Sequence, residues 1–115
     1  MISRDWFASH IEALALAIGA ALGFKAKGEI QQALAAVEAG VQKAFGMNAR
    51  MALGLPLKDF IALTCRGEEP SAALLSGLEK LFTEWADLLK AAGRDGEAAL
   101  ALQRAEECRR FKSAS

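Results

Sequence analysis

His10 is the only histidine in this 115-residue chain, and Cys65 and Cys108 are its only cysteines. These three side chains are the whole imidazole and thiol inventory available for chemistry. A single imidazole excludes every metal motif built on two histidines. The inward Glu-x-x-His pair of a di-metal helical bundle would need glutamate at position 7, where the chain has Phe7. A metal site or a cysteine–histidine catalytic pair would need long-range folding to gather His10, Cys65 and Cys108. The simpler reading is a partly buried histidine and two inert core thiols. Neither cysteine has a CxxC neighbour, and isolated thiols without a secretory leader fit a reduced, cytoplasmic chain. No glycine-rich phosphate loop and no G-x-S-x-G elbow is present. The expectation is a chain with no catalytic residue, no cofactor and no metal.

The charged residues point the same way. Arg104, Arg109, Arg110 and Lys112 make the C-terminal end basic, but Glu106 and Glu107 interrupt them. Lys+Arg and Asp+Glu balance at 14 each, so no basic excess draws the chain to nucleic acid or to an anionic membrane. The terminal cations read as complements to a helix dipole. Glu79, Glu84 and Asp87 read as a solvated face, and Trp85, which sits on an apolar stripe, as core.

The elements that hold these residues are helices. Alanine is the commonest residue, tyrosine is absent and only two prolines occur, a mixture that favours helix. With 53% apolar and 24% charged residues, 115 residues suffice for one helical domain over 1–115 with its own core. Five helices follow from periodicity and punctuation. Ser3 is the expected N-cap of the first, whose stripe is Phe7, Ile11, Leu14, Ile18 and Leu22. The second carries Ile30, Leu34, Val37, Val41 and Phe45 and closes at Gly46. Asn48 to Gly54 reads as a single turn, and Pro56 opens a short helix with Leu57, Phe60, Ile61 and Thr64 inward. Pro70-Ser71 opens the fourth, with an apolar stripe from Leu74 to Ala92. Asp95 caps the fifth, with Ala98, Ala101, Leu102, Ala105 and Cys108 inward. No segment alternates with period two, so the fold class is all-α.

The apolar run from Ala13 to Phe24 resembles the hydrophobic stretch of a signal peptide. Asp5 and Glu12 lie in and beside what would have to be a basic leader, and the run falls short of the ~20 residues that span a bilayer. It reads as a helix of the domain, with no membrane role.

Two stretches match when aligned on their glycines. Ala21, Phe24, Gly28, Ala33, Val37 and Gly40 correspond to Ala86, Leu89, Gly93, Ala98, Leu102 and Ala105. Small residues beside a glycine turn let antiparallel helices approach closely. The pattern resembles the tetratricopeptide helical hairpin. The chain as a whole resembles a functionally uncharacterised bacterial family of small, all-helical, tetratricopeptide-like proteins. That likeness rests on Met1-Ile2-Ser3-Arg4-Asp5, Ile11-Glu12-Ala13-Leu14, the hairpin from Lys27-Gly28-Glu29-Ile30 to Gln31-Gln32-Ala33-Leu34, and the hairpin from Gly93 to Ala105. The resemblance implies helical hairpins in an array or bundle, and no activity.

The first helix has no polar side chain on any face from Ala13 to Phe24, and beside its main stripe it carries a second face of Trp6, His10, Ala13, Ala17 and Ala20. A helix apolar all round must be covered all round. Either it is the spine of the bundle, or another chain completes its second face. The second alternative is preferred, and it makes Trp6, His10, Ala13, Ala17 and Ala20 an expected homodimer interface. The expected function is a non-enzymatic interaction or scaffold module. The alternative is a small-molecule-binding bundle with a pocket lined by Trp6, His10 and Trp85.

Overall fold

Among the described residues six helices follow one another: α1 (Arg4–Ala26), α2 (Ile30–Phe45), α3 (Ala49–Gly54), α4 (Leu57–Cys65), α5 (Ala72–Ala91) and α6 (Asp95–Ala114). The computed structural model describes residues 4–114, with side chains from 7 to 113. Among these residues there is no strand, and the fold is all-α. The expected N-cap Ser3 and the Trp6 side chain lie outside the described part.

Two long hairpins, α1–α2 and α5–α6, turn in the same way. Gly28 (φ 76°) and Gly93 (φ 79°) both take the left-handed conformation that only glycine adopts without strain. Beside them Glu29 N–H donates to the Phe24 carbonyl at 2.9 Å, and Arg94 N–H to the Leu89 carbonyl at 2.9 Å. Gly28 N–H donates to Lys25 and Gly93 N–H to Lys90, the paired bonds that close a helix C-terminus. The glycine alignment therefore identifies one turn used twice. Ala21, Ala33, Ala86 and Ala98 are buried in the helices on either side. Leu102 departs from the expected match with Val37, being 53% exposed where Val37 is fully buried. The inward line of α6 runs through Ala98, Ala101, Ala105 and Cys108, which leaves Leu102 facing outward.

Between the hairpins the sequence reading needs one addition. Asn48 sits extended before Ala49, and its side chain accepts from Met51 N–H at 2.8 Å. That cap lets Ala49–Gly54 form a helix of its own rather than a lone turn. Ser71 caps α5 in the same manner, accepting from Leu74 N–H at 3.1 Å. Asp95 is the first residue of α6 instead of its cap.

The centre of the molecule is α5. Leu74, Leu78, Leu81, Phe82, Trp85, Leu88 and Leu89 are buried, and α5 packs on α6, α1 and α2 together. Thus α5 is the spine, and α1 is left on one side of it. Leu57, Phe60, Ile61 and Thr64 of α4 face inward as their spacing predicts.

Candidate interaction surface

The residues able to do chemistry are not brought together. Cys65 and Cys108 are fully buried. Burial, reinforced by nearby Glu79 and Glu107, pushes the Cys108 thiol up to about 12, and burial raises that of Cys65 as well. His10 is half-buried and rests on Phe45, with ring centroids 5.3 Å apart. From there rings touch in sequence through the core: Phe45 on Phe60 at 5.0 Å, Phe60 on Phe82 at 6.0 Å, Phe82 on Trp85 at 6.1 Å. Trp85 is enclosed at the far end of this chain, its indole N–H buried without a partner. His10 and Trp85 therefore do not line one pocket. Among the described residues, no group of three or more His, Cys, Asp or Glu is placed to hold a metal ion.

Three of the four C-terminal basic residues, Arg104, Arg109 and Lys112, are held by partners on other helices, while Arg110 stays exposed beside Glu106 on its own helix. Arg104 is 5% exposed; its Nε donates to the Leu53 carbonyl at 2.9 Å and an outer nitrogen to Glu107 at 2.8 Å. The other Glu107 oxygen accepts from Leu57 N–H at 2.9 Å, so one carboxylate and one guanidinium clamp α6 to the ends of α3 and α4. Arg109 and Lys112 both bind Glu79, at 3.0 and 2.7 Å, and Lys112 above all holds the Glu79 carboxyl below its ordinary value. Lys25 pairs with Asp87 and with Glu84, the latter at 2.8 Å, which raises its pKa. Glu79, Glu84 and Asp87, expected to form a solvated face, instead anchor α1 and α6 to α5. Helix dipoles alone do not account for these cations.

Among the described residues, one long face of α1 is apolar and exposed. Alanine and leucine make this helix, and its inner line is Leu14, Ala17, Ala21 and Lys25, at spacings of three and four. Ala17 meets Gly40 of α2 so closely that a Cβ on Gly40 would lie 2.3 Å from the Ala17 methyl. The opposite face carries Ala15, Leu16, Gly19, Ala20, Leu22 and Gly23, all exposed. Leu16 is 64% and Leu22 45% exposed. Leu22 thus leaves the inward stripe on which its spacing placed it. Gly19 and Gly23 are helical, and a Cβ on either would meet nothing within 4 Å. Each costs about 1 kcal/mol relative to alanine, and no packing inside the chain requires them.

The face chosen from sequence lies a quarter-turn from this one. Of its members, Ala17 is buried under Gly40, His10 and Ala13 are half-buried, Ala20 is exposed, and the Trp6 side chain is outside the described residues. The signal for the uncovered face was present in the glycines at 19 and 23. An open groove of about 530 Å³ runs beside it, between Ile11, Ala15 and Ile18 of α1 and Ala73, Gly77 and Lys80 of α5. The stretch Phe7–Ala26 is also long and apolar enough to cross a membrane by length and composition, and of its residues Leu14, Ala17 and Ala21 are buried. That is longer than the apolar run alone suggests, because the helix continues at both ends. No family model, no curated protein and no solved structure matches the chain.

Proposed function

We propose that the protein is a non-enzymatic helical interaction or scaffold module of the cytoplasm, tetratricopeptide-like in its hairpins, that works as a homodimer through the outer face of α1. The carrying observation is a helix anchored on one side by Gly40 and by the Lys25 ion pairs, with Leu16, Leu22 and two unneeded glycines on the other. The face from Glu12 to Lys27 is about 22 Å long and about 10 Å wide, on the order of 200 Å² in projection. Both thiols are buried and the one imidazole packs at a tilt against Phe45, which supports a role without catalysis.

Sedimentation of the unmodified protein and of Leu16→Glu tests this reading. The unmodified protein should sediment as a dimer at micromolar concentration, and Leu16→Glu as a folded monomer with an unchanged circular dichroism spectrum. A monomeric wild-type protein sinks the proposal. Ala17→Glu serves as contrast: its side chain has no room beside Gly40, so this variant should unfold. The second reading, a small-molecule-binding bundle, is favoured by the groove of about 530 Å³, within the usual range for ligand sites. A co-purified ligand in a native mass spectrum would support it.

A further inference from the structure

We propose that the outer face of α1 seats the same face of a second copy, running antiparallel, about a two-fold axis that passes between Gly19 and Ala20. The inference rests on the reading of α1 as the docking surface and adds the partner and its register. Along the centre of that face stand Glu12, Leu16, Gly19 and Gly23, at spacings of four, three and four, with Lys27 four residues further on in the turn that follows. All five are exposed. Glu12 is the only acid between positions 7 and 26, and Lys27 follows the last turn. Among the described residues, neither forms an ion pair. Lys43 of α2 stands beside the same end, lining a shallow depression with Glu12 and Leu16. Lys80 of α5 borders the groove beside Gly19.

The stripe is its own complement only when reversed. About a centre between 19 and 20, position 12 faces 27, position 16 faces 23, and 19 faces 20. Glu12 of each copy then meets Lys27 of the other, at two points about 22 Å apart along the helix. The large Leu16 side chain enters the space left above Gly23, and at the centre only glycine and alanine meet. A parallel arrangement would set Glu12 against Glu12 and Leu16 against Leu16, with the glycines opposite one another and nothing to fill them. A two-fold contact makes one patch serve both chains. Small residues at 19, 20 and 23 allow an axis separation near the short end of the ~8–10 Å found for packed helices. A bilayer would be a poorer cover, because Glu12 lies on the midline of the face and would enter the hydrocarbon.

Cysteine cross-linking in the full-length protein decides the register. Cys65 and Cys108 are fully buried and stay out of the reaction. Leu16→Cys and Gly23→Cys, mixed and mildly oxidised, should give a disulfide-linked pair, while each alone should not. In the proposed register two copies of residue 16 are about 10 Å apart along the axis, beyond the ~7 Å between Cα atoms that a disulfide tolerates. Ala20→Cys, beside the axis, should link to itself. Reversing one charge with Glu12→Lys should weaken dimerisation about tenfold, and adding Lys27→Glu should restore it. Self-linking of Leu16→Cys alone would show a parallel pair and overturn the register while leaving the docking reading in place. A dimer in which none of the three positions links would move the contact to another face and overturn it too. If the wild-type protein is monomeric at micromolar concentration, or floats with anionic vesicles as a monomer, the docking reading fails and the register with it.

Discussion

Replacing Gly40 with alanine adds one methyl group at the closest approach of α1 and α2. That methyl would lie 2.3 Å from the Cβ of Ala17 and 3.6 Å from its Cα. Carbon atoms in contact settle at about 3.5–4.0 Å, so the helices must part by more than an ångström or change their crossing angle. The obstacle is a methyl fixed to a helix backbone, and no rotamer change removes it. Overpacking costs about 1–3 kcal/mol, and a clash this close against a fixed methyl falls in the upper part of that range, about 2–3 kcal/mol. Exchanging glycine for alanine inside a helix returns about 1 kcal/mol of intrinsic propensity. The expected net loss is about 1–2 kcal/mol. With an unfolding entropy near 2.1 cal/mol/K per residue, the midpoint of thermal unfolding should fall by about 4–8 °C.

Two companions isolate the cause. Gly96→Ala on α6 adds a methyl into open space and should leave the midpoint unchanged or raise it. Ala17→Gly combined with Gly40→Ala moves the methyl from one helix to the other and should recover most of the loss, with a coupling of about 1–2 kcal/mol in the double-mutant cycle. A Gly40→Ala protein that melts at or above the wild-type temperature would refute the close crossing. It would also remove the reason for placing Ala17 on the inner line of α1 and Leu16 on the outer.

Two further outcomes follow from the buried polar groups. Arg104→Met should cost about 2–4 kcal/mol in urea denaturation, because the Leu53 carbonyl and the Glu107 carboxylate lose their buried donor; an unchanged urea midpoint would show that the clamp does not bear on stability. Cys108 should react with thiol reagents only as fast as the protein opens, and labelling at the denatured rate would contradict its burial. An unfolded cysteine ionises near 9.0 and native Cys108 near about 12. Its contribution to stability is therefore complete below pH 9 and is lost as the pH rises toward 12, by up to about 1.4 kcal/mol per unit. Cys108→Ala should remove that part of the alkaline slope.

The long hairpins and the α5 core were readable in the sequence because each has two contrasting faces. On α5 the leucines and aromatics recur every three or four residues between charged ones, so period and phase are both marked. Gly28, Gly46 and Gly93 mark turns because a positive φ excludes most other residues there. Leu102 was misplaced because the glycine alignment carries the turn but not the phase of the helix beyond it. Arg104 reads from sequence as a complement to the helix dipole because what buries it carries no side-chain signal: the Leu53 carbonyl is a backbone group distant in the chain, and Glu107, three residues on, is itself held by the Leu57 N–H.

On α1 the failure has a more specific origin. From Ala13 to Phe24 every side is apolar, so its period has no phase and either stripe is an equally good core face. The phase is supplied from outside the helix. Gly40 makes room for Ala17 and for no larger residue, and Glu84 with Asp87 holds Lys25 four positions beyond Ala21 on the same line. Once that line faces inward, Leu16, Gly19 and Gly23 must face out, since they lie across the helix from it. The uncovered surface is thus a consequence of where one glycine sits on the neighbouring helix. A change at Gly40 should therefore disturb self-association as well as stability, even though Gly40 is remote from the outer face. Sedimentation of Gly40→Ala at a temperature where it remains folded reads that coupling: weaker dimerisation would tie the two faces of α1 together, and unchanged dimerisation would separate them.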